Sequence, residues 1–251
     1  MKKKTLPRFF VPDLDAAKGC ATLPPDEAQH LTRVLRLRPG DELSVFDGRG
    51  REFVARVTAA TRREVTVTLD EPVLPAQECA VHLTLAQAML KGEKIDHVVR
   101  DAVMLGAARI VPLVTARVVV SAAAIDARRL SERWTRVALA STKQSGRATL
   151  TQIEEPRSLD AFLGSCEVAL KLFLVEPAVS DGAASLREFI ETPPPSSVAL
   201  IVGPEGGWSA QERELAAAAG CQVVTLGGLT LRADAVAVAA ISIVRFLWDA
   251  R

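Results

Sequence analysis

The chain has 251 residues, 49% of them hydrophobic, and a net charge of +1 from 31 Lys plus Arg against 30 Asp plus Glu. That length carries one large domain or two smaller ones, and the charge balance excludes a whole-chain polyanion signature, so any nucleic-acid site must be a local patch. The four cysteines, Cys20, Cys79, Cys166 and Cys221, form no C-x-x-C and no cysteine–histidine cluster, so no metal site is expected and they read as reduced core thiols.

The N-terminal stretch M-K-K-K-T-L-P-R-F-F is basic, but Pro7, Arg8, Pro12 and Asp13 interrupt any apolar run, so it does not read as a secretory signal. The longest apolar run, Ala233 to Val244, contains Asp234 and falls short of the roughly 18 residues a membrane span needs. A cytoplasmic protein with no membrane role is the expectation. From Arg8 to about Pro72, short β-type runs surround one expected helix, Asp26 to Leu37, whose Ala28, Leu31, Val34 and Leu35 recur at helical spacing. Pro24-Pro25 opens it and Pro39-Gly40 closes it. Strands are expected at Glu42–Phe46, Glu52–Thr58 and Glu64–Leu69, the first two joined by the turn Asp47-Gly48-Arg49-Gly50. The pattern is that of a small β-barrel-like domain.

Between His30 and Arg63 stand eight basic residues, all arginine (Arg33, Arg36, Arg38, Arg49, Arg51, Arg56, Arg62, Arg63), against four acidic ones (Asp41, Glu42, Asp47, Glu52). The planar guanidinium suits bidentate phosphate contact and stacking on bases. This set is either a track for an RNA backbone or a solvated polar face.

Glu71 to Glu78, with Pro72 and Pro75, reads as a linker. Beyond it strands are expected at Val81–Ala88, Arg109–Val114, Val168–Val175, Val198–Val202 and Gln222–Leu226. They alternate with helices over Ile95–Leu105, Ser131–Thr142, Ala183–Ile190, a stretch opened by Ser209, and Ala233–Trp248. Alternation of this kind predicts a mostly parallel sheet covered on both faces. Ser209 and Glu212 stand at the S-x-x-E spacing of a capping box, and Gly220 supplies a stop. The helix Ala233–Trp248 is apolar around most of its circumference, which points to a symmetric dimer or to a lone buried core helix.

Two glycine-containing loops remain, Gly203 to Trp208 and Leu226 to Arg232. They follow consecutive strands and are expected side by side at one edge. A loop at the carboxyl end of a strand in an α/β sheet is where ligands bind, although a plain tight turn has the same shape. G-P-E-G-G-W is neither G-x-G-x-x-G nor a P-loop, so dinucleotides and nucleoside triphosphates are poorly supported. No Ser/His/Asp or Cys/His constellation points to covalent catalysis, and His30, His82 and His97 are scattered.

The stretches L-I-V-G-P-E-G-G-W-S-A-Q-E, L-G-G-L-T-L-R, K-G-E-K-I-D-H-V-V-R-D-A-V-M-L-G-A-A-R-I-V-P-L-V-T-A-R and R-W-T-R-V-A-L-A-S-T-K-Q-S-G-R, with H-L-T-R-V-L-R-L-R-P-G-D at His30 to Asp41, lie in an order that resembles one family. That family is ribosomal RNA small subunit methyltransferase E, SPOUT-class enzymes that form 3-methyluridine. The resemblance covers nearly the whole chain. It implies an α/β fold: an N-terminal PUA-like β-barrel for RNA over residues 1–72, and a SPOUT methyltransferase domain over residues 73–251 with a mostly parallel sheet and a deep trefoil knot.

It further implies S-adenosyl-L-methionine as cofactor, held in loops that match at Gly203, Pro204, Glu205, Gly207, Leu226, Gly227 and Leu231, with a weaker match after the strand ending near Val175. Glycines suit such loops, because backbone groups approach a ligand closely only where no Cβ intervenes. The implied partners are ribosomal RNA or the small ribosomal subunit and a second copy of the chain. A cation near the uracil carbonyls would stabilise the anion that develops on methylating uridine N3, and Arg232 is the candidate, with a phosphate contact or structural ion pair as its other roles. Gln144, Ser145 and Arg147 match a motif on the substrate side, beside Arg33, Arg36 and Arg38 as RNA contacts. Glu205 is a possible base, a loop cap or a cofactor-recognising residue.

The chain departs from the family pattern at Leu229, Thr230 and Ala233 to Val236, at Met104 and at Lys143. These departures leave two alternatives beside the first: an RNA-binding assembly factor without turnover, or a methyltransferase for another RNA position.

Overall fold

Val65 and Val67 turn inward while Thr66 and Thr68 face out, and the first sheet is built on that alternation. The computed structural model describes residues 6–61, 64–118, 126–179, 182–189 and 192–249; Arg62, Arg63 and Ile190 of the expectations above lie outside them. The chain divides into two compact units, Met1–Glu78 with Thr142–Leu150, and Cys79–Ser141 with Thr151–Arg251.

In the first unit, β1 (Arg8–Phe10), β2 (Cys20–Thr22), β3 (Glu42–Phe46), β4 (Glu52–Ala60) and β5 (Val65–Val73) form a five-stranded sheet of order β1-β3-β4-β5-β2. Only the β1–β3 pair is parallel; irregularities between Phe53 and Ala55 and between Val57 and Ala59 add local bends to β4. The core is aliphatic around Phe9, with Leu31, Leu43, Val45, Val57, Val65 and Val67 buried together. Gly48, at φ +75°, makes the β3–β4 turn; a Cβ there would stand 2.9 Å from both Leu150 and Phe10. Strand β5 runs on to Val73, past the position at which the linker was expected.

The expected helix differs in a way that matters for its arginines. It starts as α1 (Pro25–Gln29) and continues as a wider π-helical stretch, His30–Leu35, after which Arg36 turns left-handed at φ 55°, the only positive φ outside glycine among the described residues. An extra residue per turn rotates the end of the helix off the core face. Ala28 and Leu31 are buried as expected, whereas Val34 and Leu35 are exposed beside Arg33 and Arg36.

Arg8 organises the unit from its edge. Its Nε and Nη2 donate to the two Glu52 oxygens at 2.9 and 2.7 Å, Nη1 to the carbonyls of Thr142 and Lys143 at 2.9 and 2.8 Å, and Nη2 also to the Arg147 carbonyl at 2.7 Å. Residues 142–150 thereby join the first unit, and the Leu150 and Gly50 amides complete the join by pairing with the carbonyls of Gly48 and Ala148.

The second unit carries β6 (His82–Ala88), α2 (Lys94–Met104), β7 (Arg109–Val114), α3 (Ala127–Ser145, whose last turn belongs to the first unit), β8 (Gln152–Ile153), β9 (Arg157–Ser158), α4 (Leu159–Ser165), β10 (Leu170–Leu174), β11 (Ala184–Ser185), β12 (Ser197–Val202), α5 (Ala210–Ala218), β13 (Gln222–Thr225) and α6 (Ala233–Trp248). Its eight strands run in the order β11-β13-β10-β12-β6-β7-β8, with β9 also on β7, and every pairing is parallel. Successive residues feed opposite faces: Leu172, Leu200 and Val202 join Trp134, Val99 and Ile241 on one side, while Phe173, Ala199 and Ile201 join Phe162, Trp208 and Ala216 on the other. The expected helix Ala183–Ile190 is instead the short edge strand β11 and a 3-10 turn, Leu186–Phe189, because Ala184 and Ser185 pair with Val224 and Thr225.

Candidate functional site

Strands β10, β12 and β13 are neighbours, and the loops at their carboxyl ends surround a cavity of about 290 Å³. This corrects one expectation. The two glycine loops do not follow adjacent strands, since β10 lies between β12 and β13, paired in parallel with both. Its own exit, Val175 to Pro177, is therefore a third wall. The apolar lining comes from Leu174, Val202, Trp208, Leu226 and Val236.

Trp208 fixes the loop after β12. Its indole stacks on Phe173 with centroids 4.4 Å apart and its Nε1–H donates to the Leu174 carbonyl at 2.9 Å. A Cβ at Gly203 would stand 3.0 Å from that indole, and Gly207 sits at φ +65° with the Glu176 carboxylate 3.3 Å from where its Cβ would be. At Gly203 and Gly207 the loop is thus backbone packed directly against side chains. The capping box at the start of α5 is complete: Ser209 Oγ accepts from the Glu212 amide and Glu212 Oε2 from the Ser209 amide. The remaining Glu212 oxygen accepts from the Ala116 amide at 2.8 Å, tying the exit of β7 to the start of α5.

Of the expected cofactor contacts, Val175, Gly203, Pro204, Glu205, Gly207, Leu226 and Leu231 all line the cavity, as does Arg232; Gly227 does not. Gly227 instead presents its carbonyl to Thr225 Oγ1 at 3.2 Å. Glu205 accepts from Lys94 Nζ at 2.8 Å. Burial pushes its carboxyl up, but the Lys94 hydrogen bond, backbone donors and the Lys94 charge outweigh that and hold it below the ordinary glutamate value. A carboxylate held ionised is a weak base, so Glu205 serves the loop. Arg232 is 72% exposed and paired with Asp234 at 3.1 Å.

Lys94, Arg117, Glu176 and Arg213 also line the cavity; Lys94 and Arg117 lie in the resemblance stretch Lys91 to Arg117 without a role assigned to them there, and Glu176 and Arg213 fall outside the stretches that carry the resemblance. They sit on α2, on the β7 and β10 exits and on α5, so only the strand order brings them together.

The expected RNA contacts fall in the first unit. Arg33, Arg36, Arg38 and Gln144 are exposed, Ser145 is half-buried, and none of the three arginine side chains has a carboxylate partner among the described residues. Arg147 is different. It is 3% exposed and its guanidinium pairs with Glu78 at 2.7 Å, so it positions the run that holds Gln144 rather than reaching out to a phosphate. Among the described residues no group of acids, histidines and cysteines is placed to hold a metal ion, and no helix is long and apolar enough to cross a membrane.

Residues 77–245 match a family described as the RNA methyltransferase domain and residues 23–70 one described as the RNA methyltransferase PUA domain. The chain is 30% identical to ribosomal RNA small subunit methyltransferase E of Rickettsia conorii over 96% of this chain and 95% of that protein. Its fold is similar to that of the enzyme of the same name from Neisseria gonorrhoeae, solved bound to S-adenosyl methionine, with 28% identity, a TM-score of 0.87 and coverage of 97% and 98%. A Legionella pneumophila protein solved with the cofactor SAM is 30% identical, with a TM-score of 0.85 over 97% and 98% of the two chains.

Proposed function

The chain belongs to the ribosomal RNA small subunit methyltransferase E family, and from that premise we propose that it methylates uridine N3 in small-subunit ribosomal RNA with S-adenosyl-L-methionine as donor. The observation that carries this reading is the cavity off β10, β12 and β13, in which both glycine loops meet. The residues present fit the cofactor: an apolar lining suits its adenosine, and the backbone of the loop Gly203 to Trp208 borders the cavity, where its peptide groups can hydrogen-bond a ligand.

When bound, the cofactor supplies a methyl group on a positively charged sulfur. The chain's own part is to bring N3 in line with that methyl group, to let the N3 proton leave and to stabilise the negative charge that spreads onto the uracil oxygens. In this reading Arg232, which lines the cavity, takes the last task. Its pair with the half-buried Asp234 is open to solvent on the arginine side and worth about 1 kcal/mol, so the guanidinium can exchange it for a uracil carbonyl. Lys94 and Glu205 hold the loop still, and Trp208 anchors it from behind.

Arg33, Arg36, Arg38 and Gln144 supply the RNA-facing surface of the first unit. The α6 face carrying Ala235, Ser242 and Phe246 is exposed, and a second copy of the chain is its proposed cover. The trefoil knot implied by the family and a cytoplasmic location belong to the same proposal.

Nucleoside mass spectrometry of small-subunit rRNA from wild-type and deletion cells tests it. Loss of 3-methyluridine, restored by the gene, is the expected outcome. Intact 3-methyluridine with loss of a different methylated nucleoside assigns another position. Tight RNA binding by the purified protein without methyl transfer assigns an assembly factor.

A further inference from the structure

Four cationic side chains line the cavity: Lys94, Arg117, Arg213 and Arg232. Glu205 neutralises the first and Asp234 the last. Arg117 and Arg213 have no carboxylate partner among the described residues. Each donates one Nη1–H to a carbonyl of the same loop, Arg117 to Gly206 at 2.9 Å and Arg213 to Trp208 at 3.2 Å. Those carbonyls flank Gly207, whose left-handed φ of +65° bends the loop between the two guanidiniums. A guanidinium has five N–H donors, and among the described residues each of these two spends one on a carbonyl.

The backbone beneath Arg117 is fixed. The amide of Ala116, the preceding residue, is held by the buried carboxylate of Glu212, and the Arg117 Cβ lies 3.2 Å from the point a Gly206 Cβ would occupy. The acids near this turn are otherwise engaged: Glu176 stands against Gly207, Glu205 pairs with Lys94, and Glu212 accepts from the Ala116 and Ser209 amides. Loop bracing needs a hydrogen-bond donor but not a charge, whereas an arginine fork suits a carboxylate or phosphate oxyanion.

We infer that Arg117 and Arg213 form an oxyanion seat at Gly207. It rests on the methyl-donor reading, within which two oxyanions are available: the amino-acid carboxylate of the cofactor and a backbone phosphate of the target RNA. The seat orients whichever it holds relative to the apolar lining and is separate from the cation offered to the uracil by Arg232.

The test is calorimetric titration of the full-length protein and its Arg117→Gln, Arg117→Lys and Arg213→Gln variants, each first shown to melt like the parent. The probes are S-adenosylhomocysteine, 5′-methylthioadenosine, which lacks the amino-acid end, and purified small-subunit rRNA. A carboxylate in the seat is expected to cost the glutamine variants about tenfold or more in S-adenosylhomocysteine affinity, with 5′-methylthioadenosine unchanged and part of the loss restored in Arg117→Lys. A phosphate in the seat leaves both nucleosides unchanged and lowers rRNA affinity, with a salt slope shallower by about one. Equal loss of both nucleosides makes the arginines loop braces and overturns the inference, as does wild-type binding of all three probes. If the unaltered protein binds neither nucleoside, the methyl-donor reading itself falls, and the seat with it.

Discussion

At Gly207 the backbone adopts φ +65°, where an L-residue is strained, and a Cβ would also press on Glu176. Gly207→Ala is therefore expected to destabilise the second unit by about 1–2 kcal/mol. It should also weaken S-adenosylhomocysteine binding; a melting curve and a titration together check it, and an unchanged titration would show that the turn shape is dispensable. The cysteines give a second prediction at this scale. Burial pushes the thiols of Cys79 and Cys221 up to about 11, so neither ionises appreciably near neutral pH. Cys20 is exposed, contrary to the expectation of four core thiols. Iodoacetamide at neutral pH should label Cys20 first, and mass spectrometry of a tryptic digest reads the order. The glycines of the loop after β12 stood out in the sequence as ligand-facing backbone, but what crowds the Cβ positions of Gly203 and Gly207, Trp208 and Glu176 respectively, shows only in the fold. The burial of Arg147 was not legible either, because it depends on Glu78, sixty-nine positions away in the chain.

The start of α5 shows what an element reveals about itself. Ser209 and Glu212 announce the capping box by spacing alone, and it forms as expected. What spacing hides is the second oxygen of Glu212, which also holds the Ala116 amide. Ser209→Ala should cost about 1 kcal/mol. Glu212→Ala should cost more, about 1–3 kcal/mol, because it leaves partly buried backbone donors unpaired on two elements. Equal melting temperatures for the two variants would remove the tie to Ala116. The pairing of Glu205 with α2 adds a dependence on pH. Its carboxyl is lowered in the folded state, so the Lys94–Glu205 tie stabilises fully above the ordinary value of 4.5 and is lost as pH falls through the lower folded value. Glu205→Gln should flatten stability over that acidic range, as thermal melts at several pH values will show. Periodicity found most strands and helices to within a few residues, but it could not place β10 between β12 and β13, since strand order is settled by long-range pairing.

For the whole molecule the arginine stretch is a question of phosphate binding. Replacing Arg33 and Arg36 with alanine is expected to weaken rRNA binding and to reduce its dependence on salt by about one unit of slope per lost phosphate contact, with S-adenosylhomocysteine affinity unchanged. An unaltered salt slope would return those side chains to the role of solvating groups. The local charge bias was readable in the sequence. The π-helical turn that lifts Val34 and Leu35 into solvent beside it was not, because an i→i+5 turn differs from an α-helix by one residue that no spacing rule marks.

The fork of Arg8 bears on the order in which the protein is made. Three of the carbonyls it holds lie more than a hundred positions downstream, at Thr142, Lys143 and Arg147. A nascent chain released only as far as Glu78 has every strand of the first sheet but leaves the Arg8 guanidinium with Glu52 alone, and Gly48 without the Leu150 amide that its carbonyl accepts. The N-terminal unit is thus the first to begin and cannot be the first to finish. Its completion requires residues 142–150, which are synthesised only after β6, α2, β7 and most of α3.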